Sequence, residues 1–134
     1  MLKWQIGSVQ ITQIVELTTA SLGPYLLPQA TPEVLRREEW LRPFCDPEGK
    51  LVLSVHTLVV ESQGECLLVD TCIGNDKQRS YPRWNKMQTD FLDRLGQAGF
   101  APERIDTVMC THLHVDHVGW NTRLVGDGWV PTFA

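Results

Sequence analysis

The chain has 134 residues, 43% apolar and 21% charged, with a net charge of −4. That length is one domain with enough surface to bury a core, and the composition excludes an intrinsically disordered segment. The acidic balance, with its basic residues scattered, argues against a nucleic-acid surface, and no apolar run reaches the length of a membrane span.

The N-terminus, Met1-Leu2-Lys3-Trp4-Gln5-Ile6-Gly7, lacks the apolar core of a secretory signal. The four cysteines, Cys45, Cys66, Cys72 and Cys110, show no C-x-x-C spacing. Their even count permits disulfides, but without a signal the reading favours free thiols in a reducing cytoplasm. Cys66 and Cys110 fall in apolar strands and are expected as small core residues.

In chain order, Lys3 to Ile6, a Gly7-Ser8 turn and Val9 to Val15 predict a β-hairpin. In its second arm Val9, Ile11 and Gln13 face one way and Gln10, Thr12 and Ile14 the other. Ser21 to Ala30 holds Gly23, Pro24 and Pro28 and is expected to be loop. Its apolar residues Leu22, Tyr25, Leu26 and Leu27 either pack beneath the fold, the reading slightly preferred, or line a substrate entrance. Thr31-Pro32-Glu33 reads as a helix start with Thr31 as N-cap, the helix running to about Trp40 and stopped by Pro43. Asp46 to Gly49 is a turn.

Leu51 to Glu61 and Cys66 to Asp70, joined by Ser62-Gln63-Gly64-Glu65, read as two strands whose near-continuous hydrophobicity predicts a sheet covered on both faces. Thr71 to Asn85 is irregular. Lys86 to Ala98 reads as a helix with Met87, Phe91, Leu92, Leu95 and Ala98 on one stripe and Gly99 just past its end. Ile105 to Cys110 is a short buried strand, and Arg123 to Val125 with Trp129 to Phe133 a last hairpin. The pattern is an α/β layered fold, amphipathic helices covering a mixed sheet, in one domain over residues 1–134.

The densest chemistry follows the Ile105 to Cys110 strand. Three of the four histidines and an aspartate occur as H-x-H-x-D-H: His112, His114, Asp116 and His117. In extended backbone His112 and His114 project to one side, with Leu113 expected to point back into the core. Two imidazoles so placed start a site for a zinc-like ion. Asp116 and His117, adjacent on a tightening turn, can face a second ion beside the first, and such a pair of ions polarises a carbonyl or phosphoryl oxygen. Gly119 falls where a side chain would obstruct the backbone. His56, mid-strand and without a ligand-like neighbour, is read as structural. Asp70, ending an apolar strand before a glycine-containing loop, is either a strand-ending cap or a carboxylate that braces a ligand histidine from behind.

Two stretches carry a family resemblance. Thr111-His112-Leu113-His114-Val115-Asp116-His117-Val118-Gly119 resembles the central metal motif of the metallo-β-lactamase superfamily, and Leu67-Leu68-Val69-Asp70-Thr71-Cys72-Ile73-Gly74 is similar to that family's strand ending in Asp-Thr-Gly, with Cys72 where glycine is more usual. The resemblance implies half of an αβ/βα sandwich with a two-metal site on one edge. It implies that His112 and His114 ligate the first metal and Asp116 and His117 the second, and that Asp70 braces the metal loop. The start of the chain and the segment Tyr25 to Leu27 look most like the lactonase and organophosphate-hydrolase relatives.

The family's site also uses two further histidines and a bridging aspartate. No histidine follows His117, and the only later acid is Asp127, in a hairpin turn. The chain is therefore expected to be the N-terminal half of the domain, inactive and weak in metal binding by itself, with an apolar sheet face that favours homodimers.

The expected cofactors are two divalent metal ions, zinc first and iron or manganese as alternatives. The expected function is hydrolysis of a small ester-like substrate or lactone through a metal-bound hydroxide, with Asp116 as the catalytic candidate that orients the hydroxide as well as binding metal. Phosphodiester or thioester hydrolysis, or metal binding without turnover, are the alternatives, since one fold serves several chemistries. The expected partner is a small-molecule substrate, not nucleic acid or a membrane.

Overall fold

A computed structural model describes residues 1–133. Contacts divide them into two bodies, one of residues 1–16 with 55 onward and one of Leu17–Ser54.

The first body is built on a five-stranded sheet in the order β1-β2-β3-β4-β5. β1 (Lys3–Ile6) and β2 (Val9–Thr19) form the expected hairpin about Gly7, whose φ of +60° only glycine adopts freely. β2 runs four residues past the predicted end, and its buried positions are Thr12, Ile14 and Glu16. β3 (Leu53–Ser62) and β4 (Glu65–Val69) pair antiparallel, Leu58 opposite Val69 and Ser62 opposite Glu65. The turn between them carries positive φ at Gln63 and Gly64, the twist that suits a two-residue hairpin. β5 (Thr107–Met109) then joins β4 in parallel, Leu67 opposite Thr107. It is shorter than the Ile105 to Cys110 strand expected.

Between β4 and β5 lies α3 (Phe91–Gln97). The helix starts five residues later than its sequence pattern predicts, because Lys86 sits at φ +49° and Met87 and Thr89 are held in the preceding loop through Asp76 and Asn75. Its end is as read: Gly99 at φ +93° turns the chain and the Phe100 N–H returns to the Leu95 carbonyl at 3.0 Å. Phe91 and Leu95 drive the helix onto the sheet, joining Ile14, Val59, Leu68, Phe100, Ile105 and Trp120 in one core. Phe91 stacks on Trp120 with ring centroids 5.7 Å apart.

Only one sheet face is fully buried. Thr57, Val59, Cys66 and Leu68 are buried, whereas Leu58, Val60, Leu67 and Val69 on the other face are half-buried. The continuous apolar runs that predicted two covered faces therefore pack a core on one side only. β6 (Thr122–Val125) and β7 (Gly128–Pro131) form a separate two-stranded hairpin.

The second body carries α1 (Gly23–Leu26), a single helical turn within the stretch expected to be loop, and α2 (Pro32–Arg37). Thr31 caps α2 as predicted, accepting from the Val34 N–H at 3.4 Å. The helix ends at Arg37 rather than Trp40. Glu39–Phe44 form a 3-10 helix that contains Pro43, whose missing N–H is tolerated in that short turn. Tyr25, Leu26 and Leu27 do not pack beneath the fold: Tyr25 is 83% exposed.

One glycine is demanded by space alone. A Cβ on Gly119 would lie 1.8 Å from the Ile73 carbonyl oxygen, backbone against backbone, with no flexible side chain to yield. Gly126, at φ +59°, has open space around it. Gly119→Ala is expected to lower stability by about 3 kcal/mol or more through overpacking, and Gly126→Ala by only about 1 kcal/mol through its left-handed backbone. Urea midpoints of the two variants check this, and equal losses would contradict it.

Candidate metal centre

The motif lies where two parallel strands end. β4 delivers Asp70, and β5 delivers Thr111 and the histidines after it. Carboxyl ends of neighbouring parallel strands diverge into loops, and that crevice is where open α/β sheets place their ligands. Thr57 donates to the Val69 and Asp70 carbonyls at 3.0 and 2.7 Å, pinning the end of β4. The Asp70 N–H closes the β4–β5 junction on the Met109 carbonyl at 2.8 Å.

Beyond that junction the two loops continue side by side. The Thr71 N–H donates to the His117 carbonyl at 2.8 Å, the Gly119 N–H to the Cys72 carbonyl at 2.7 Å and the Trp120 N–H to the Thr71 carbonyl at 2.8 Å. The Thr71 hydroxyl adds a bond to Asn121 Oδ1 at 2.8 Å. This ladder needs the Asp70–Gly74 loop to coil tightly, with φ of +61° at Asp70, +53° at Cys72 and +78° at Gly74. Cys72 thus occupies a conformation that glycine takes at no cost. Burial, then the charges of Glu16, Asp70 and Asp116, push its thiol well up, so it is a neutral core group and not a thiolate.

Asp70 is the hub of the side-chain network. It accepts from the Thr111 N–H at 2.7 Å and from the Thr111 hydroxyl at 2.9–3.0 Å, and its Oδ2 lies 2.8 Å from His117 Nδ1. Because the Thr111 hydroxyl donates to Asp70, its lone pair is left to accept from His112 Nδ1, 3.1 Å away. The network therefore assigns Nδ1–H to both His112 and His117 and leaves both Nε2 lone pairs outward. That tautomer is what a metal ligand requires.

Each of those lone pairs faces a second metal-capable atom. His112 Nε2 lies 3.1 Å from His114 Nδ1, and His117 Nε2 lies 3.4 Å from Asp116 Oδ2. Two ligands of a tetrahedral zinc ion at ~2.0–2.1 Å stand about 3.3 Å apart, so each pair has the spacing of one edge of such a site. The His112 and His117 rings are 3.9 Å apart between centroids, which places the pairs side by side. Among the described residues no three His, Cys, Asp or Glu are grouped to hold one ion. The residues fit divalent ions as two adjacent two-donor half-sites.

The structure brings together His112, His114, Asp116, His117 and Asp70, and leaves His56 half-buried within β3. It corrects Leu113, which is 83% exposed because the chain bends at 111, 112 and 114 after β5 ends and the side chain never returns to the core. Sequence reasoning missed Thr111 as the link from Asp70 to His112, Thr71 as the ladder residue, and Glu16. The signal for Glu16 existed: it follows Thr12 and Ile14 at the strand's period of two, on the core face.

Asp70 carries a pH dependence. Burial pushes its carboxyl up, but hydrogen bonds from His117 and from the Thr111 N–H and hydroxyl outweigh burial and hold it below the ordinary 3.8. A depressed carboxyl contributes stability that is full above the unfolded value and lost as pH falls through the folded one. Asp70→Asn, which tolerates the positive φ, is expected to destabilise at neutral pH, with the gap to the parent closing below 3.8. Paired urea titrations across that range check it, and a gap independent of pH would contradict it.

Similarity to known proteins agrees with this geometry. The family model described as the metallo-beta-lactamase superfamily matches residues 51–134. Among solved structures, the hydrolase AbOPH of the beta lactamase superfamily matches with TM-score 0.60 and 26% identity, over 87% of this chain and 37% of its own. A probable metal-dependent hydrolase from Staphylococcus aureus matches with TM-score 0.63 and 20% identity, over 86% of this chain and 41% of its own. AidC, a dizinc quorum-quenching lactonase in complex with a product, N-hexnoyl-L-homoserine, matches with TM-score 0.60 and 20% identity, over 88% of this chain and 37% of its own. The chain thus spans about two fifths of the length of these structures. No curated protein matches it significantly. The mixed sheet, the ladder of loops at its carboxyl edge and the matched residues place the chain in the metallo-beta-lactamase superfamily.

Proposed function

We propose that this chain supplies one side of a two-metal hydrolase that opens a small ester-like substrate or lactone. The observation that carries the reading is the pair of donor edges, His112 with His114 and Asp116 with His117, whose free lone pairs are set by Asp70 and Thr111. When bound there, divalent ions such as zinc supply an activated water and polarise the substrate oxygen. His112 and His114 would hold one ion and Asp116 and His117 the other. With Asp116 Oδ2 against His117 Nε2, the other carboxylate oxygen is left to orient the attacking water and take up its proton. Asp70 holds the His117 ring against rotation, so that the ligand atom does not need to be reoriented during turnover.

Imidazole and carboxylate donors suit zinc, iron and manganese alike. Two donors per ion is fewer than the three or four of a zinc site, and metal held by these residues alone is correspondingly weak. The lactone reading draws support from the lactonase AidC among the structural neighbours, although that likeness by itself speaks to the fold.

The full protein is the right object for the test. Chelator-treated protein is assayed on an acyl-homoserine lactone, an aryl ester, a thioester and a phosphodiester, before and after zinc or manganese is returned. The expected result is lactone or ester turnover that disappears with the metal and falls at least about a hundredfold in Asp116→Asn, a loss of the size that removing a general base produces. Turnover that survives both the chelator and His112→Ala would overturn the reading, and metal-dependent turnover confined to the phosphodiester would replace the substrate class.

A further inference from the structure

Glu16 is the only acidic side chain buried among the described residues, at 2% exposure. It stands on the core face of β2, far in sequence from the metal motif. Its Oε2 accepts from the Ile73 N–H at 2.8 Å. Its Oε1 accepts from the Trp120 indole N–H at 2.7 Å, from the Thr89 hydroxyl at 3.2 Å and from the Gly74 N–H at 3.3 Å. Arg94 of α3 holds the same residue from behind, donating to the Val15 and Glu16 carbonyls at 2.9 and 3.3 Å.

A carboxylate in a core is costly to desolvate unless its lone pairs are filled. Here four donors fill them, and they come from both sides of one structure. Ile73 and Gly74 end the loop that begins at Asp70, and Trp120 ends the segment that begins at His117. Between those ends run the ladder bonds from Thr71 to His117, Gly119 to Cys72 and Trp120 to Thr71. At the open end of the ladder Asp70 meets His117 Nδ1.

We infer that Glu16 is a positioning residue for the metal centre: its carboxylate clamps the Asp70–Gly74 loop to the Gly119–Trp120 turn and so fixes the His117 ring on Asp70. The inference rests on the reading of His117 as a metal ligand. Thr89 and Arg94 add a consequence, because they tie the clamp to the start and body of α3 and make that helix part of the metal loop's support. An apolar residue would fill the same space but would leave two backbone N–H groups and an indole N–H buried without acceptors.

Glu16→Gln tests it on the full protein. The amide keeps one accepting oxygen and turns an NH2 toward N–H donors, so at least one arm of the clamp is released. The metal-independent readout is the long-range proton–nitrogen correlation spectrum of the histidine rings. In the parent His117 should show one fixed Nδ1–H tautomer, and in Glu16→Gln averaged ring nitrogens while the thermal transition stays cooperative. The second readout is cobalt(II) titration, where affinity should fall about tenfold, the scale on which residues behind a ligand act.

Unchanged His117 nitrogens and unchanged cobalt affinity in a folded Glu16→Gln would make Glu16 a packing residue only and overturn the inference, as would a parent in which His117 already averages. If Glu16→Gln fails to fold, Trp120→Phe decides in its place. It keeps the stack on Phe91 and removes one donor, and it should shift the His117 nitrogens in the same direction. A parent that takes up no cobalt would count against the proposed function, while the ring spectra would still judge Glu16.

Discussion

The backbone of Gly119 runs so close to Ile73 that a single methyl group between them would overlap a carbonyl oxygen. That contact sets the rest of the centre. It lets the His117–Trp120 segment lie beside the Asp70–Gly74 loop at hydrogen-bonding distance, so that Thr71, Cys72, His117, Gly119 and Trp120 satisfy one another's backbone groups away from solvent. The ladder in turn brings Asp70 under the His117 ring and seats Trp120 against Phe91 in the core. A histidine-rich segment that faces solvent is thereby attached to the core through backbone as well as through the side chain of Asp70.

The sheet supplies the position. β4 and β5 are parallel neighbours, and both end at the same edge, so Asp70 and Thr111 emerge beside each other although 41 residues separate them. Pairing Thr111 with Asp70 then passes the orientation on: the hydroxyl that donates to Asp70 must accept from His112, while His117 donates to Oδ2 of the same carboxylate. One carboxylate therefore sets the tautomers of two imidazoles. The energy for holding it ionised comes from these donors against the cost of partial burial.

The clustering of the three histidines with an aspartate was legible in the sequence because it is local. His112, His114, Asp116 and His117 lie within six residues, and the strand that delivers them ends in an abrupt change from apolar to polar. The hairpins were legible for the same reason, since Gly7 and the Gln63-Gly64 pair mark their turns. What escaped was the part that depends on tertiary contact. The predicted helix from Lys86 loses its first turn because Asn75 and Asp76 capture that segment. The helix after Thr31 tightens into 3-10 geometry around Pro43, which local pattern does not foretell. Leu113 reads as a core residue by alternation, but alternation holds only in extended backbone, and the chain bends there. Glu16 lies one residue past the predicted end of its strand and shows its core position only when the period of two is carried one step further, and its partners at Ile73, Gly74, Thr89 and Trp120 are unknowable from spacing.

The proposed function requires that His112 with His114 and Asp116 with His117 present two adjacent edges, each matched to one ion. A crystal of the full protein grown with zinc and measured on either side of the zinc absorption edge tests it most directly. Two anomalous peaks are expected, one bonded to His112 Nε2 and His114 Nδ1, the other to His117 Nε2 and Asp116 Oδ2, with Asp70 still on His117 Nδ1. Zinc bound elsewhere, or bound to His117 Nδ1 with Asp70 displaced, would contradict it.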